Sequence, residues 1–382
     1  MTSDRDHKVS LGELASVFLK LGTTAFGGPA AHIAMMEDEV VRRRRWMTRE
    51  EFLDLLGAAN LIPGPNSTEL AIHVGHRQAG WAGLLITGAS FILPAVLIVT
   101  GFAWAYVRYG SLPEVAGILY GVKPVIIVIV LQALWSLGKT AVKTRFLAVI
   151  GLVGIALTWL GVHELLILAG AGLVVVLVKA FSQRDDRRFL SVEFAFLLQS
   201  TATATSTFGL LPLFLFFLKV GAVLYGSGYV LLAFIRADLV ERWHWLTESQ
   251  LLDAIAVGQV TPGPVFTTAT FIGYVLGGYE GAIVATLGIF LPAFCFVALS
   301  GPLVPRIRRS PAAGAFLDGV NVAALSLMVL VTFQLGRASL VDIKTLLIAA
   351  ISGFILFRFR VNSAWLVLGG AIVGLIISRA GG

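Results

Sequence analysis

Charge is scarce in this chain. Of its 382 residues only 13% are Asp, Glu, Lys or Arg, against about a quarter in ordinary soluble domains. Cysteine is nearly absent. Cys295 stands alone inside an apolar run, which excludes an internal disulfide framework and reads as a small packed hydrophobe. No G-x-x-x-x-G-K phosphate loop, metal-ligand cluster or cofactor fingerprint occurs, so neither an ATPase nor a cofactor enzyme is indicated, and no cofactor is expected. Nor does any Ser/His or Asp/Asp constellation pair a nucleophile with a base, which argues against a membrane-embedded enzyme. The start, MTSDRDHKVS, carries both signs of charge and leads to no small-residue cleavage site, so no cleavable signal peptide is expected.

What the chain has is apolar length. Hydrophobic residues make up 57% of it and the mean hydropathy is +0.87. Runs at 81–107, 118–137, 146–160, 165–181, 208–224, 281–304, 315–335, 346–357 and 364–377 mostly approach or exceed the ~20 residues that cross a bilayer as a helix. Lipid leaves backbone groups only helices or closed barrels, and unbroken apolar runs exclude the alternation of a barrel strand. The expected class is an all-α polytopic membrane protein. The net charge of +7 does not point to nucleic acid, because the basic residues sit in short loops beside apolar segments. Membrane lipid is the expected surrounding, and a homo-oligomer stays open.

The chain also contains itself twice. FLKLGTTAFGG at Phe18 returns as FLKVGAVLYGS at Phe217, an offset of 217 − 18 = 199. The same offset pairs Trp46 with Trp245, Asp54 with Asp253, and Pro63-Gly64-Pro65 with Pro262-Gly263-Pro264; one residue less pairs Gly75 with Gly273 and Pro94 with Pro292. This divides the chain into repeats at 1–181 and 207–382, joined by a linker at 182–206 that could instead hold a short helix. Basic residues crowd 42–49, 139–145 and 184–188 in the first half, and the matching loops of the second half exchange the bias. That pattern favours two repeats of inverted topology, with each Pro-Gly-Pro entering and leaving on one side.

A helix broken at the same place in each repeat is how many secondary transporters build a substrate site at mid-membrane. Pro65 can start a half-helix whose free amides, near Asn66, Ser67 and Thr68, face a cavity, and such a helix start suits an anion. The second copy keeps Thr267 and Thr268 after Gly263 but has Val265 in place of Asn66, so the copies should contribute unequally. Gly27, Gly28 and His32 mark a second interruption, and Gly64 lies in the first. Lys20 and Lys219 occupy matching places inside apolar segments and read either as counter-charges for a dianion or as snorkelling side chains. Asp54, Asp253 and Glu69 are coupling candidates. Glu37–Glu39 with 42–45 read as a solvated helix face paired at i,i+4.

The run FLKLGTTAFGGPAAHIAMMEDEVV…RRWMTREEFLDLLGAANLIPGPNSTELAIHVGHRQAGWAGLLITGASFILPA closely resembles the chromate ion transporter family, as a long, two-domain member. The resemblance implies export of chromate across the bacterial cytoplasmic membrane, with sulfate a related substrate, and resistance to chromate. Its signature falls on Gly27, Gly28, Pro29, His32, Trp46, Asp54, Pro63, Gly64, Pro65, Asn66, Gly75 and Pro94. A sulfate permease and a passive anion channel remain the competing readings.

Overall fold

The computed structural model describes residues 9–26, 28–182, 208–225, 228–308, 310–359 and 361–380. Gly27 and nearly all of the linker lie outside these. Among the described residues the structure is helical, without a strand. Six helices among the described residues are long and apolar enough to cross a membrane: Asn66–Tyr109, Pro113–Ala141, Glu164–Phe181, Val265–Ser300, Pro311–Ser339 and Ser363–Ala380. Large apolar side chains such as Leu97, Leu152 and Phe354 point outward, as suits a protein whose solvent is lipid.

Each repeat begins with two short helical hairpins. In the first, α1 (Leu11–Thr24) runs inward and α2 (Pro29–Glu37) returns, continuing as a π-helical turn over Asp38–Arg43. The two ends meet: Arg44 pairs with Glu13 (3.6 Å) and Lys20 with Glu39 (3.5 Å). The second hairpin is α3 (Arg49–Ala59), the Pro-Gly-Pro, and the opening arm of α4 (Asn66–Tyr109). Thr48 starts α3 with a full capping box to Glu51. Eleven residues carry α3 roughly 16 Å, about half the hydrocarbon thickness, before Pro63 stops it. The chain then returns on the same side, where Gln78 bonds the Trp46 carbonyl (3.0 Å) and Arg77 pairs with Glu51 (3.2 Å).

Helix α4 is not one rod. Ala79 and Gly80 leave helical geometry, and Gly80 takes φ +59°. The arms fold back so closely that a Cβ on Gly83 would lie 2.1 Å from the Gly75 carbonyl oxygen. Only glycine permits that contact, which accounts for the glycine spacing of the sequence. The longer arm then crosses the membrane, followed by α5 (Pro113–Ala141), α6 (Arg145–Trp159) and α7 (Glu164–Ser182). The second repeat follows the same plan. It comprises α8 (Leu210–Val223), α9 (Leu231–Ile235) with a π-helical turn at Arg236–Arg242, α10 (Glu248–Val260), α11 (Thr268–Arg308) folded back at Gly277 and Gly278, α12 (Pro311–Ser339), α13 (Ile343–Phe359) and α14 (Ser363–Ala380).

The repeats are inverted. The turn after α4 and the turn after α12 border one cavity, through Ser111 and Val341, and the Tyr120 hydroxyl reaches Asp342 (2.6 Å). On the other face Lys143, in the turn after α5, reaches Asp318 near the start of α12 (2.6 Å). Since α12 is the counterpart of α5, equivalent turns lie on opposite faces. The halves also exchange helices: α5 packs on α14 through Gly121 and Gly374, and α12 packs on α7 through Gly319 and Gly172.

The solvated charge face expected near Glu37–Glu39 is only partly so. Glu39 is buried, held by Lys20 and by Arg44 (2.5 Å), five residues on. The π-helical turn brings residues five apart onto one face, which an α-helical spacing rule does not anticipate.

Candidate functional site

Four chain breaks meet at the molecular centre: the α1–α2 turn, the first Pro-Gly-Pro, the α8–α9 turn and the second Pro-Gly-Pro. Two backbone bonds join them across the repeats. The Gly64 amide donates to the Leu224 carbonyl (2.8 Å), and the Gly263 amide to the Ala25 carbonyl (3.0 Å). Beside these bonds lies a cavity of about 440 Å³, lined by Gly28, Pro65, Asn66, Ser67, Gly228 and Pro264 among others.

The first repeat supplies the donors. Gly28, at φ +78°, turns the chain so that Pro29 begins α2, and Pro65 does the same for α4. The Thr68 and Glu69 amides return to the Pro65 carbonyl (2.7 and 3.0 Å), while those of Asn66 and Ser67 lie at the first two helical positions, where no intrahelical acceptor exists. Ala30 brings the start of α2 to the same cavity. Two helix N-termini converging on one space present free N–H groups and positive dipole ends, which favour an anion. The Asn66 side chain donates to Asn60 (2.7 Å). It lies between this cavity and an adjoining one of about 330 Å³, which extends to Lys143.

The second repeat supplies a wall. After Pro264 the chain takes a 3₁₀ turn, Val265–Thr267, and the Thr267 and Thr268 hydroxyls bond back to the carbonyls of Pro264 and Val265 (both 2.8 Å). These hydroxyls are spent on their own backbone, so Val265 and Phe266 face the cavity instead. The amides of Gly64 and Gly263 are likewise occupied by the bonds between repeats.

Other expected residues lie apart. His32 is buried beside the cavity with both ring nitrogens engaged, Nδ1 with the Ser67 hydroxyl (3.2 Å) and Nε2 with the Ala25 carbonyl (3.1 Å), so it braces the site. Lys20 and Lys219 are not among the cavity's lining residues. Lys219 is paired with Asp238 (2.5 Å), which Arg242 also holds, and Lys20 with Glu39; the offset of 199 relates the two pairs. Asp54 is exposed on α3, whereas Asp253 is buried on Lys123 (3.2 Å) and Tyr106 (2.9 Å). Thr68 is buried, its hydroxyl without a hydrogen-bond partner.

Glu69 stands differently. It is fully buried in the first turn of α4, and neither carboxyl oxygen has a hydrogen-bond partner. A Cβ on Gly64 would lie 2.3 Å from its Oε1, so the carboxyl group rests against the Pro-Gly-Pro turn. Three polar residues escaped the sequence reading: Gln132 and Ser136, which line the central cavity, and Lys123. All three sit inside one apolar run. A lysine at that depth was itself the available signal.

The chromate transporter family profile matches residues 12–176 and again 211–375. The chain belongs to the chromate transporter family. It is 34% identical over 373 residues to a chromate transport protein of Cupriavidus metallidurans, covering 96% of this chain and 93% of that one. A probable chromate transport protein of Synechococcus elongatus is also 34% identical, over 90% of this chain and 89% of its own. An uncharacterized transporter of Bacillus subtilis is 30% identical over 170 residues, which is 96% of its length but 42% of this chain, so that protein is about one repeat long. No solved structure matches. The membership and the apolar helices make this a multi-pass chromate transporter of the cytoplasmic membrane.

Proposed function

We propose that the protein is a secondary active transporter that exports chromate from the cytoplasm, and thereby confers resistance, by alternating access to the central cavity. The observation that carries this reading is the convergence of two helix N-termini on one cavity between inverted repeats, the arrangement in which transporters hold an anion at mid-membrane. The face bearing Lys143 is the more basic and is taken as cytoplasmic. The side cavity from Lys143 to Asn66 then forms the inward path.

Asn66, Ser67 and the amides at the starts of α2 and α4 bind the tetrahedral dianion, with Gln132 and Ser136 completing the cage from α5. Glu69 is the coupling group. An ionised carboxylate there lacks a counter-ion and a donor, a cost of several kcal/mol, and it competes with the dianion for the same helix dipole. A proton on Glu69 removes both penalties, so proton and anion binding reinforce one another, and the two leave together as one net negative charge that the inside-negative membrane potential drives outward. Asp253 already has its cation in Lys123, and Asp54 lies outside the cavity.

Everted membrane vesicles test the reading directly. Chromate should accumulate when they are energised, sulfate should compete, and an uncoupler should release the gain. Uptake indifferent to energisation and to the uncoupler, or ohmic current in a planar bilayer, would replace the transporter with a channel.

A further inference from the structure

A second cavity, of about 680 Å³, opens on the face opposite Lys143. At its inner end the Lys123 ammonium lies 3.2 Å from Asp253 and donates to the Ser249 hydroxyl (2.7 Å), while Tyr106 donates to the other oxygen of Asp253 (2.9 Å). Lys123 belongs to α5 of the first repeat, Asp253 to α10 of the second. Ser339, from α12, is buried in the same lining with its hydroxyl unpartnered. The offsets that relate the repeats carry Lys123 to Asn321 and Asp253 to Asp54, so only this face has a lysine and a buried carboxylate on the equivalent helices.

We propose that this cavity holds a second oxyanion site, with Lys123 as its cation and Asp253 as an internal occupant that the dianion displaces. The site rests on the transport reading above and deepens it. Helix α10 leads from this cavity to the second Pro-Gly-Pro, so a path from the centre to this face must part α10 from α5. Parting them strips Lys123 of its carboxylate inside the membrane, where a lone ammonium is costly. A tetrahedral dianion leaving the central cavity supplies the missing charge, and the hydroxyls of Ser249 and Ser339 add neutral donors. The pair therefore holds this face closed while empty and yields to the substrate rather than to water. The aspartate then returns to Lys123 and expels the dianion.

The test counts bound anions on the purified full-length protein in nanodiscs, with radiolabelled sulfate and chromate as probes. Wild type should bind one oxyanion per chain. Asp253→Asn should bind two, because Lys123 has lost its internal competitor. Lys123→Gln with Asp253→Asn should return to one, and Lys123→Arg with Asp253→Asn should keep two. One oxyanion in Asp253→Asn would overturn the second site and leave the central one standing. No binding in wild type, with one in Asp253→Asn, would do the reverse. Should Asp253→Asn fail to fold, acylation of Lys123 in Asp253→Ser decides, read by peptide mass spectrometry. Sulfate at millimolar concentration should slow it several-fold and chloride should not; equal rates would overturn the proposal.

Discussion

Gly263 donates its amide to the carbonyl of Ala25, 3.0 Å away across the boundary between repeats, and Gly64 makes the duplicate bond to Leu224 at 2.8 Å. Each Pro-Gly-Pro thus completes the broken turn of the other repeat. Proline removes donors from a break and leaves carbonyls exposed, and in a membrane no water satisfies them. The duplicated chain solves this by pairing the breaks with each other, which fixes both at mid-depth and beside one cavity.

Both glycines should therefore resist substitution. Gly64 has φ +137° and Gly263 φ +90°, conformations that cost a side chain about 1–3 kcal/mol. A Cβ would also meet Glu69 Oε1 at 2.3 Å or the Ala95 side chain at 2.8 Å. Gly80, at φ +59°, has nothing near its Cβ position and serves as the control for backbone strain alone. Thermal unfolding in detergent should place Gly64→Ala and Gly263→Ala below Gly80→Ala. Equal midpoints would remove the close approach from the account.

Asn66→Ala tests the anion cage. Losing a hydrogen bond to a charged group costs about 1.5–3 kcal/mol, so chromate affinity should fall roughly tenfold to a hundredfold. Val265→Ala, at the matching position of the second copy, should leave affinity near wild type, since that side chain offers no donor. Equilibrium binding to purified protein gives both numbers, and a comparable loss in the two variants would mean a symmetric site.

Much of this was legible in the sequence. Two Pro-Gly-Pro breaks at one offset give the repeat, and the exchange of basic loops between halves gives the inversion, because both are properties of spacing and composition. Of the residues that line the central cavity, those named from the sequence are the ones the break itself places there, such as Gly28, Pro65 and Asn66. The hydroxyls of Thr267 and Thr268 looked like donors, but a 3₁₀ turn directs them to their own carbonyls. Lys20 and Lys219 looked like unpaired cations because their partners, Glu39 and Asp238, sit on π-helical turns whose register no α-helical pattern shows. Gln132 and Lys123 were hidden by the apolar run that surrounds them.

The paired lysines should act on stability rather than on substrate. Asp238 is 1% exposed and holds both Lys219 and Arg242, whereas Lys20 is 58% exposed on Glu39. Removing the buried carboxylate leaves two cations, each about a third exposed, without their partner, so Asp238→Ala should cost about 1–3 kcal/mol. Lys20→Gln should cost no more than about 1 kcal/mol. Unfolding midpoints measure the difference. Chromate efflux per folded Lys20→Gln molecule should match wild type, and a selective loss of efflux would return Lys20 to the transport path.

Glu69→Gln separates binding from coupling. Glutamine keeps the shape of the protonated acid and one of its polar roles, but it cannot release a proton. If Glu69 and the dianion compete for the start of α4, the neutral variant should bind chromate at least as tightly as wild type. Exchange of labelled for unlabelled chromate across vesicles should continue, because exchange needs only the loaded carrier to turn. Accumulation driven by an imposed pH gradient, acidic on the side that holds the chromate, should cease. These three outcomes form a pattern that a packing defect cannot produce, since a loosened core would lower binding, exchange and accumulation together. Asp54→Asn, on the exposed part of α3, should leave all three unchanged. Gradient-driven accumulation that survives in Glu69→Gln would move the coupling proton to another carboxylate, with Asp253 the next to be tested.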